Sequence, residues 1–246
     1  MNRPERLNAL NVGLTDALRN YFQALEDRAD IRVVVLRGAG RVYCAGLDLK
    51  DRTGAAPRSV QQGFAGQKSI RDIMLAMREC PQPIISIVQG SASGGGLGIA
   101  LASDIRLCTP EARFNAAFIK IGVSGCDMGS SYFLPRMVGA SLAAEMLLTG
   151  RFLHADRAYA MGFVSKVGPL AEIEAEARQL VSEMLNATPL ALRLTKDCMN
   201  HNIDAPGLRA AIAMEDRNQI LCTRGEDFNE GIRAFFEKRP PSYAGR

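Results

Sequence analysis

Histidine is scarce in this chain: His154 and His201 are the only two among 246 residues. Each falls in a helix-like stretch, where a lone imidazole is ordinarily a surface or core group. The six cysteines, at 44, 80, 108, 126, 198 and 222, are widely spread and form no Cys-x-x-Cys pair. Without histidines to join them they do not suggest a metal centre, and buried free thiols are their ordinary state in a reducing compartment. No apolar run approaches the roughly 20 residues needed to cross a bilayer, so a membrane partner is not expected. The first residues, Met1-Asn2-Arg3-Pro4-Glu5-Arg6, lack the continuous apolar stretch of a secretory leader. A cytoplasmic location is the expectation. The formal net charge of +4 comes with no concentrated basic block. That balance suits a small anionic ligand and argues against a nucleic-acid partner.

What the chain does have is enough apolar sequence, 47% of its residues, for one sizeable core. Leu10, Leu14, Leu18, Phe22 and Leu25 recur at helical spacing and predict a first helix. The β-branched run Ile31–Leu36 reads as a buried strand closed by Gly38-Ala39-Gly40. Residues 46–66 are polar and weakly patterned and read as a loop. A helix is expected near 67–79, ended by Pro81 and Pro83. A second strand at 84–88 runs into Gly94-Gly95-Gly96, followed by a helix at 95–103 and a third strand at 105–108. Beyond about 129 the patterns are helical, near 140–149, 155–161, 171–187, 189–201 and 207–222. Alternating strands and helices followed by helices alone indicate an α/β core, drawn at 1–190, with a helical C-terminal region over 191–246.

Two glycine segments carry the candidate chemistry. One is Tyr43-Cys44-Ala45-Gly46-Leu47-Asp48-Leu49, after the first strand; the other is Gly94-Gly95-Gly96, at a strand-to-helix junction. Glycines there let a ligand approach the backbone closely, and a helix N-terminus supplies free N–H groups. Two amides converging on one point form an oxyanion hole. Tight packing or a turn is the commoner role of such clusters. Other signatures fail on inspection. The glycines at 94–98 do not fit Gly-x-Gly-x-x-Gly, because Ile99 or Leu101 stands where the last glycine belongs. No phosphate-loop motif occurs, and Ala92 occupies the centre of what would be a nucleophile elbow at Gly90–Gly94.

Motifs along nearly the whole chain resemble the enoyl-CoA hydratase/isomerase (crotonase) family. Asn2-Arg3-Pro4 with Asn8-Ala9-Leu10 resembles its opening, and Tyr43–Lys50 and Gly90–Asp104 resemble its two oxyanion segments. Leu147-Leu148-Thr149-Gly150-Arg151, with Ala158 and Gly162-Phe163-Val164, resembles the next signature, and Phe235-Phe236-Glu237-Lys238-Arg239 the closing helix. The resemblance implies a crotonase-like ββα superhelix with a helical C-terminal trimerisation region, assembling as a homotrimer or hexamer. It implies an acyl-CoA substrate, with coenzyme A entering as part of that substrate and no permanently bound cofactor. The amides of Leu47 and Gly95 would hold the thioester oxygen. Ala45, Lys50 and Lys238 match positions near the CoA moiety, although solvated lysines are the ordinary alternative. The family usually places a strand or hairpin ahead of the Asn-Arg-Pro motif, where this chain begins, so a short exposed sheet edge is expected.

The pattern departs where a hydratase of the family carries its two glutamates. Those positions match Gly98 and Phe118 here, both expected to border the acyl pocket with Phe114 and the 51–66 loop. Neither residue can transfer a proton or orient a water. Asp127, in Ser124-Gly125-Cys126-Asp127-Met128-Gly129, resembles the aspartate that dienoyl-CoA isomerases and 4-chlorobenzoyl-CoA dehalogenases place in this loop. It is a candidate base or nucleophile, and alternatively a cap for the following helix. Asp48 is read as a loop support, and Ser124, Ser130 and Ser131 as pocket-lining candidates. The reading is an acyl-CoA lyase or isomerase rather than a classical hydratase. A hydrolase or dehalogenase with Asp127 as nucleophile and a non-catalytic acyl-CoA-binding paralogue are the alternatives.

Overall fold

The computed structural model describes residues 1–52 and 59–245. In chain order its elements begin α1 (Val12–Ala24), β1 (Val34–Arg37), α2 (Val60–Glu79), β2 (Ile84–Val88), β3 (Ser91–Ser93), α3 (Gly95–Ala102), β4 (Ile105–Cys108) and β5 (Arg113–Asn115). They continue α4 (Ser130–Thr149), β6 (Leu153–His154), α5 (Ala155–Ala160), β7 (Lys166–Val167), α6 (Leu170–Leu185), α7 (Pro189–Asn202), α8 (Leu208–Cys222) and α9 (Glu226–Glu237). The expected mixture of an α/β core and a helical C-terminal part is what the chain forms.

Two sheets organise the core. A four-stranded parallel sheet has the order β1-β2-β4-β7, and a smaller sheet pairs β3 in parallel with β5 and β5 antiparallel with β6. β2 is buried along its whole length, as a parallel strand covered on both faces must be. Ile85 and Ile87 pack with Leu107 against Ile173 and Ala177 of α6, while Ile84 and Val88 join the main core. Ser86, also buried, finds partners instead of apolar neighbours. Its Oγ lies 2.7 Å from both the Tyr43 hydroxyl and Ser103 Oγ. β1 forms one edge of the larger sheet, with Val35 and Arg37 exposed, and the Met1 amine donates to Arg37 O at 2.8 Å.

Several sequence expectations shift. Leu10 is not in the first helix; Asn11 caps α1 by accepting from Leu14 N, and Leu10 lies in extended backbone bridged to Leu47. α2 starts seven residues earlier than its apolar period suggests, because Ser59 and Gln62 form a reciprocal capping box. That turns residues 60–66 of the expected loop into helix; residues 53–58 of it lie outside the described residues. α4 likewise begins before 140, with Gly139 (φ +79°) breaking its helical path and Pro135 inside it. His154 belongs to β6 rather than to a helix. The cysteines are free, but only Cys44, Cys80 and Cys108 are buried; Cys126 is exposed.

One buried cation clamps the helical region to the core. Lys196 Nζ donates to Met77 O (2.9 Å) at the end of α2 and to Gln82 O (2.8 Å), and lies 3.1 Å from Asp104 Oδ2. Asp104 also pairs with Arg78 at 3.0 Å and accepts from Ile84 N at 2.8 Å. A lysine buried to this degree is tolerated because its donors are all used. Replacing it by an apolar residue strands two carbonyls and weakens the compensation of Asp104. Lys196→Met is expected to lower unfolding stability by about 3 kcal/mol, read from urea titrations.

Candidate active site

The site forms where three chain segments meet at the N-terminus of α3. Cys44 bridges Ala92 in parallel, with Cys44 N donating to Ser91 O (3.1 Å) and Ser93 N to Cys44 O (3.0 Å). Three residues on, Leu10 N donates to Gly46 O (2.7 Å) and Asp48 N to Leu10 O (3.0 Å). Glycine is required for this approach at two places. A Cβ on Gly96 would fall 2.2 Å from Cys44 O, and one on Gly46 2.7 Å from Ser93 O. Gly46 also has φ +91°, a conformation other residues rarely adopt.

Beside these ladders the Leu47 and Gly95 N–H groups stay unengaged: neither amide donates to any acceptor among the described residues. For Gly95 this follows from its place in the first turn of a helix, whose N–H groups have no intrahelical partner. The two segments are close: a Cβ on Gly46 would lie 3.3 Å from the Gly95 nitrogen. Both residues line a cavity of about 380 Å³ with Leu10, Ala45, Phe118 and Asp127. Leu49, Gln67, Ile70, Ser124, Cys126 and Met128 complete much of its wall.

Asp127 is half-buried on that wall. Its Oδ1 accepts from Gln67 Nε2 (2.5 Å) and from Met128 N (2.7 Å), and Oδ2 has no donor among the described residues. The capping alternative is corrected: Gly129 precedes α4 without a side-chain cap. Ser130 instead takes the capping-type contacts, its Oγ accepting from Asp127 N (3.1 Å) and its N–H donating to Asp127 O (2.9 Å). Asp127 is the one carboxylate lining the cavity among the described residues.

Gly98 is a correction. It does not line the cavity, because Met128 covers it: a Cβ on Gly98 would sit 2.7 Å from Met128 Cβ, and one on Gly95 3.1 Å from Met128 Sδ. Met128 reaches this place through a left-handed backbone (φ +48°) followed by Gly129 (φ +78°). Gly95 and Gly98, one helical turn apart, thus present the small surface on which a methionine beds. Phe114 is corrected too, being fully buried and edge-on to Phe163 at 4.9 Å. Lys50 and Lys238 are exposed and do not line the cavity; Lys50 follows the lining residue Leu49, and Lys238 ends α9 with φ +53°. Of the serines, Ser124 lines the cavity, Ser130 is buried beneath it and Ser131 is exposed on α4.

Asp48 is held from further away than a loop-local role supposes. Arg6 Nη2 lies 3.0 Å from its Oδ1 and Arg3 Nη1 3.2 Å from its Oδ2, so the carboxylate ties the segment carrying Leu47 to the N-terminal turn. Asn8 adds a second tie, donating to Ala39 O (2.9 Å) and Val42 O (2.7 Å) from a left-handed backbone (φ +54°) that asparagine tolerates. Hydrogen bonding from Arg6, with Arg3 in support, holds the Asp48 carboxyl below its ordinary value, whereas burial pushes the Cys44 thiol up to about 11. Gln67, Leu10 and Met128 are site residues that sequence reasoning missed. Gln67 already stood at the start of the helix expected near 67–79, but no local pattern marked its side chain as reaching Asp127.

A fold with two such glycine-lined segments defines a crotonase-type protein, and comparison with known proteins agrees. The family described as enoyl-CoA hydratase/isomerase matches residues 1–246, and the chain belongs to that family, whose members act on acyl-CoA thioesters. It is 33% identical to 1,2-epoxyphenylacetyl-CoA isomerase of Escherichia coli (strain K12), over 100% of this chain and 94% of that protein. It is 34% identical to a "probable enoyl-CoA hydratase" of Rhodobacter capsulatus, over 100% of this chain and 93% of the relative. The crystal structure of enoyl-CoA hydratase from Bacillus anthracis superposes with a TM-score of 0.92 at 32% identity, covering 99% of this chain and 93% of that one.

Because the Asp48 carboxyl titrates below its ordinary value of 3.8, its ion pairs stabilise the fold fully above that pH. The contribution is lost as pH falls below 3.8 through the folded-state value. Asp48→Asn is expected to lower the urea midpoint at neutral pH and to narrow the gap to the unmodified protein below pH 3.8.

Proposed function

We propose that the chain isomerises an acyl-CoA thioester through an enolate, with Asp127 moving the proton. The observation that carries this is the pairing of two unengaged amides, Leu47 and Gly95, with a single carboxylate on one cavity wall. A thioester oxygen received by both N–H groups gains charge as the neighbouring carbon loses a proton. Each donor of such a hole is worth about 2.7–4 kcal/mol in the transition state. Asp127 Oδ2 accepts the proton and returns it at a conjugated carbon, so one carboxylate suffices and no atoms are gained or lost.

Hydration asks for more. It needs one group to orient and deprotonate a water and a route for a second proton, and the two family positions that supply them are Gly98 and Phe118. The relative named as an isomerase at 33% identity supports the same choice. The lining leucines, Phe118, Ile70 and Val123 suit an apolar acyl group. The apolar side chains exposed on the last two helices, among them Leu208, Phe235 and Phe236, support assembly as a homotrimer or hexamer.

The test is product analysis by mass spectrometry in D₂O against 2-enoyl, 3-enoyl, dienoyl, aryl and saturated thioesters. Isomerised, deuterium-bearing product from 3-hexenoyl-CoA is expected, and Asp127→Asn should lower its kcat by about 10²–10⁴-fold with CoA binding retained. Efficient hydration of a 2-enoyl-CoA overturns the reading; hydrolysis to the free acid moves it to Asp127 as nucleophile. Restoring a carboxylate by Gly98→Glu should not create a hydratase, since the new Cβ meets Met128; loss of thermal stability without hydration product is the expected result.

A further inference from the structure

We infer that Gln67 is a positioning residue for Asp127, fixing the plane of the carboxylate that moves the proton; this rests on the reading above. The terminal torsion of an aspartate is broad, so one contact to a carboxylate oxygen leaves its plane free to swing. Met128 N supplies such a contact at 2.7 Å from the adjacent residue, and by itself it moves with the loop. Gln67 supplies the second from a different element, its Nε2 donating to the same Oδ1 across 60 residues of sequence. A donor to an ionised oxygen is stronger than a neutral pair, and two on Oδ1 leave Oδ2 as the oxygen with open capacity.

The helix that carries Gln67 is itself well anchored. Ile70, Ile73, Met74 and Met77 are buried in the main core, and Ile70, one turn beyond Gln67, shares the cavity wall with it. The helix backbone beneath Gln67 is therefore held by core packing, while the carboxylate lies in a loop whose backbone includes two consecutive left-handed residues, Met128 and Gly129. A donor carried on an anchored helix and reaching a group on a loop is the arrangement expected of a residue that acts on geometry. Gln67 is exposed, so its removal does not open the core.

The experiment measures isomerisation and deuterium uptake from 3-hexenoyl-CoA in D₂O for Gln67→Leu, Gln67→Ala, Asp127→Asn and the Gln67→Leu/Asp127→Asn pair. Misplacement of a catalytic group on the ångström scale costs on the order of 10²-fold. Gln67→Leu and Gln67→Ala should therefore lose about 10–100-fold in kcat, with KM within about two-fold and melting temperature unchanged. In the pair, Gln67→Leu should add no loss to Asp127→Asn, since it acts through that carboxylate. A kcat within two-fold of the unmodified protein, or a full additional loss in the pair, overturns the inference while the enolate reading stands. Undiminished turnover in Asp127→Asn, or no turnover by the unmodified protein, overturns the enolate reading and this inference with it.

Discussion

The site depends on a backbone-to-backbone approach between the Cys44–Gly46 segment and the first turn of α3. With Gly96 carrying no side chain, Cys44 O comes to where a Cβ would be only 2.2 Å away, and Gly46 does the same against Ser93 O. The pair of open amides follows from that contact. It brings the N–H of Leu47 beside the helix end whose N–H groups have no intrahelical acceptor. The hydrogen bonds of the flanking ladders are then consumed on either side, at Cys44 and at Gly46 and Asp48, which leaves the Leu47 amide unused between them.

The same helix explains why the carboxylate sits in the loop. Gly95 and Gly98 give α3 a shallow face, and Met128 fills it from a left-handed backbone. A side chain on residue 98 and this methionine exclude one another. The conformation that beds Met128 also sets the residue before it, Asp127, on the cavity wall, with Ser130 binding its backbone from below. A residue without a side chain at 98 and a carboxylate presented at 127 are therefore parts of one packing arrangement.

Much of this was legible from local pattern. The β-branched run of β2 and the glycine junction before α3 mark their elements within a residue or two, because strand and helix periods are properties of neighbouring residues. Leu47, Gly95, Phe118, Ala45 and Asp127, recognised through motif resemblance, do converge on one cavity. The failures share a cause. Leu10 fits the helical spacing of Leu14 and Leu18, yet an asparagine cap one residue later stops the helix short of it. Phe114 and Gly98 lie near the site in sequence, but one stacks on Phe163 and the other lies under Met128.

What the sequence by itself determined is therefore the class of scaffold and the places where backbone can meet backbone. Periodicity and the absence of a Cβ act over a few residues and need no knowledge of the rest of the chain. Only the tertiary structure decided which polar groups remain unpaired and which oxygen of Asp127 is open. Those outcomes depend on partners distant in sequence, Gln67 for Asp127 and Arg3 with Arg6 for Asp48, brought within hydrogen-bonding distance by core packing.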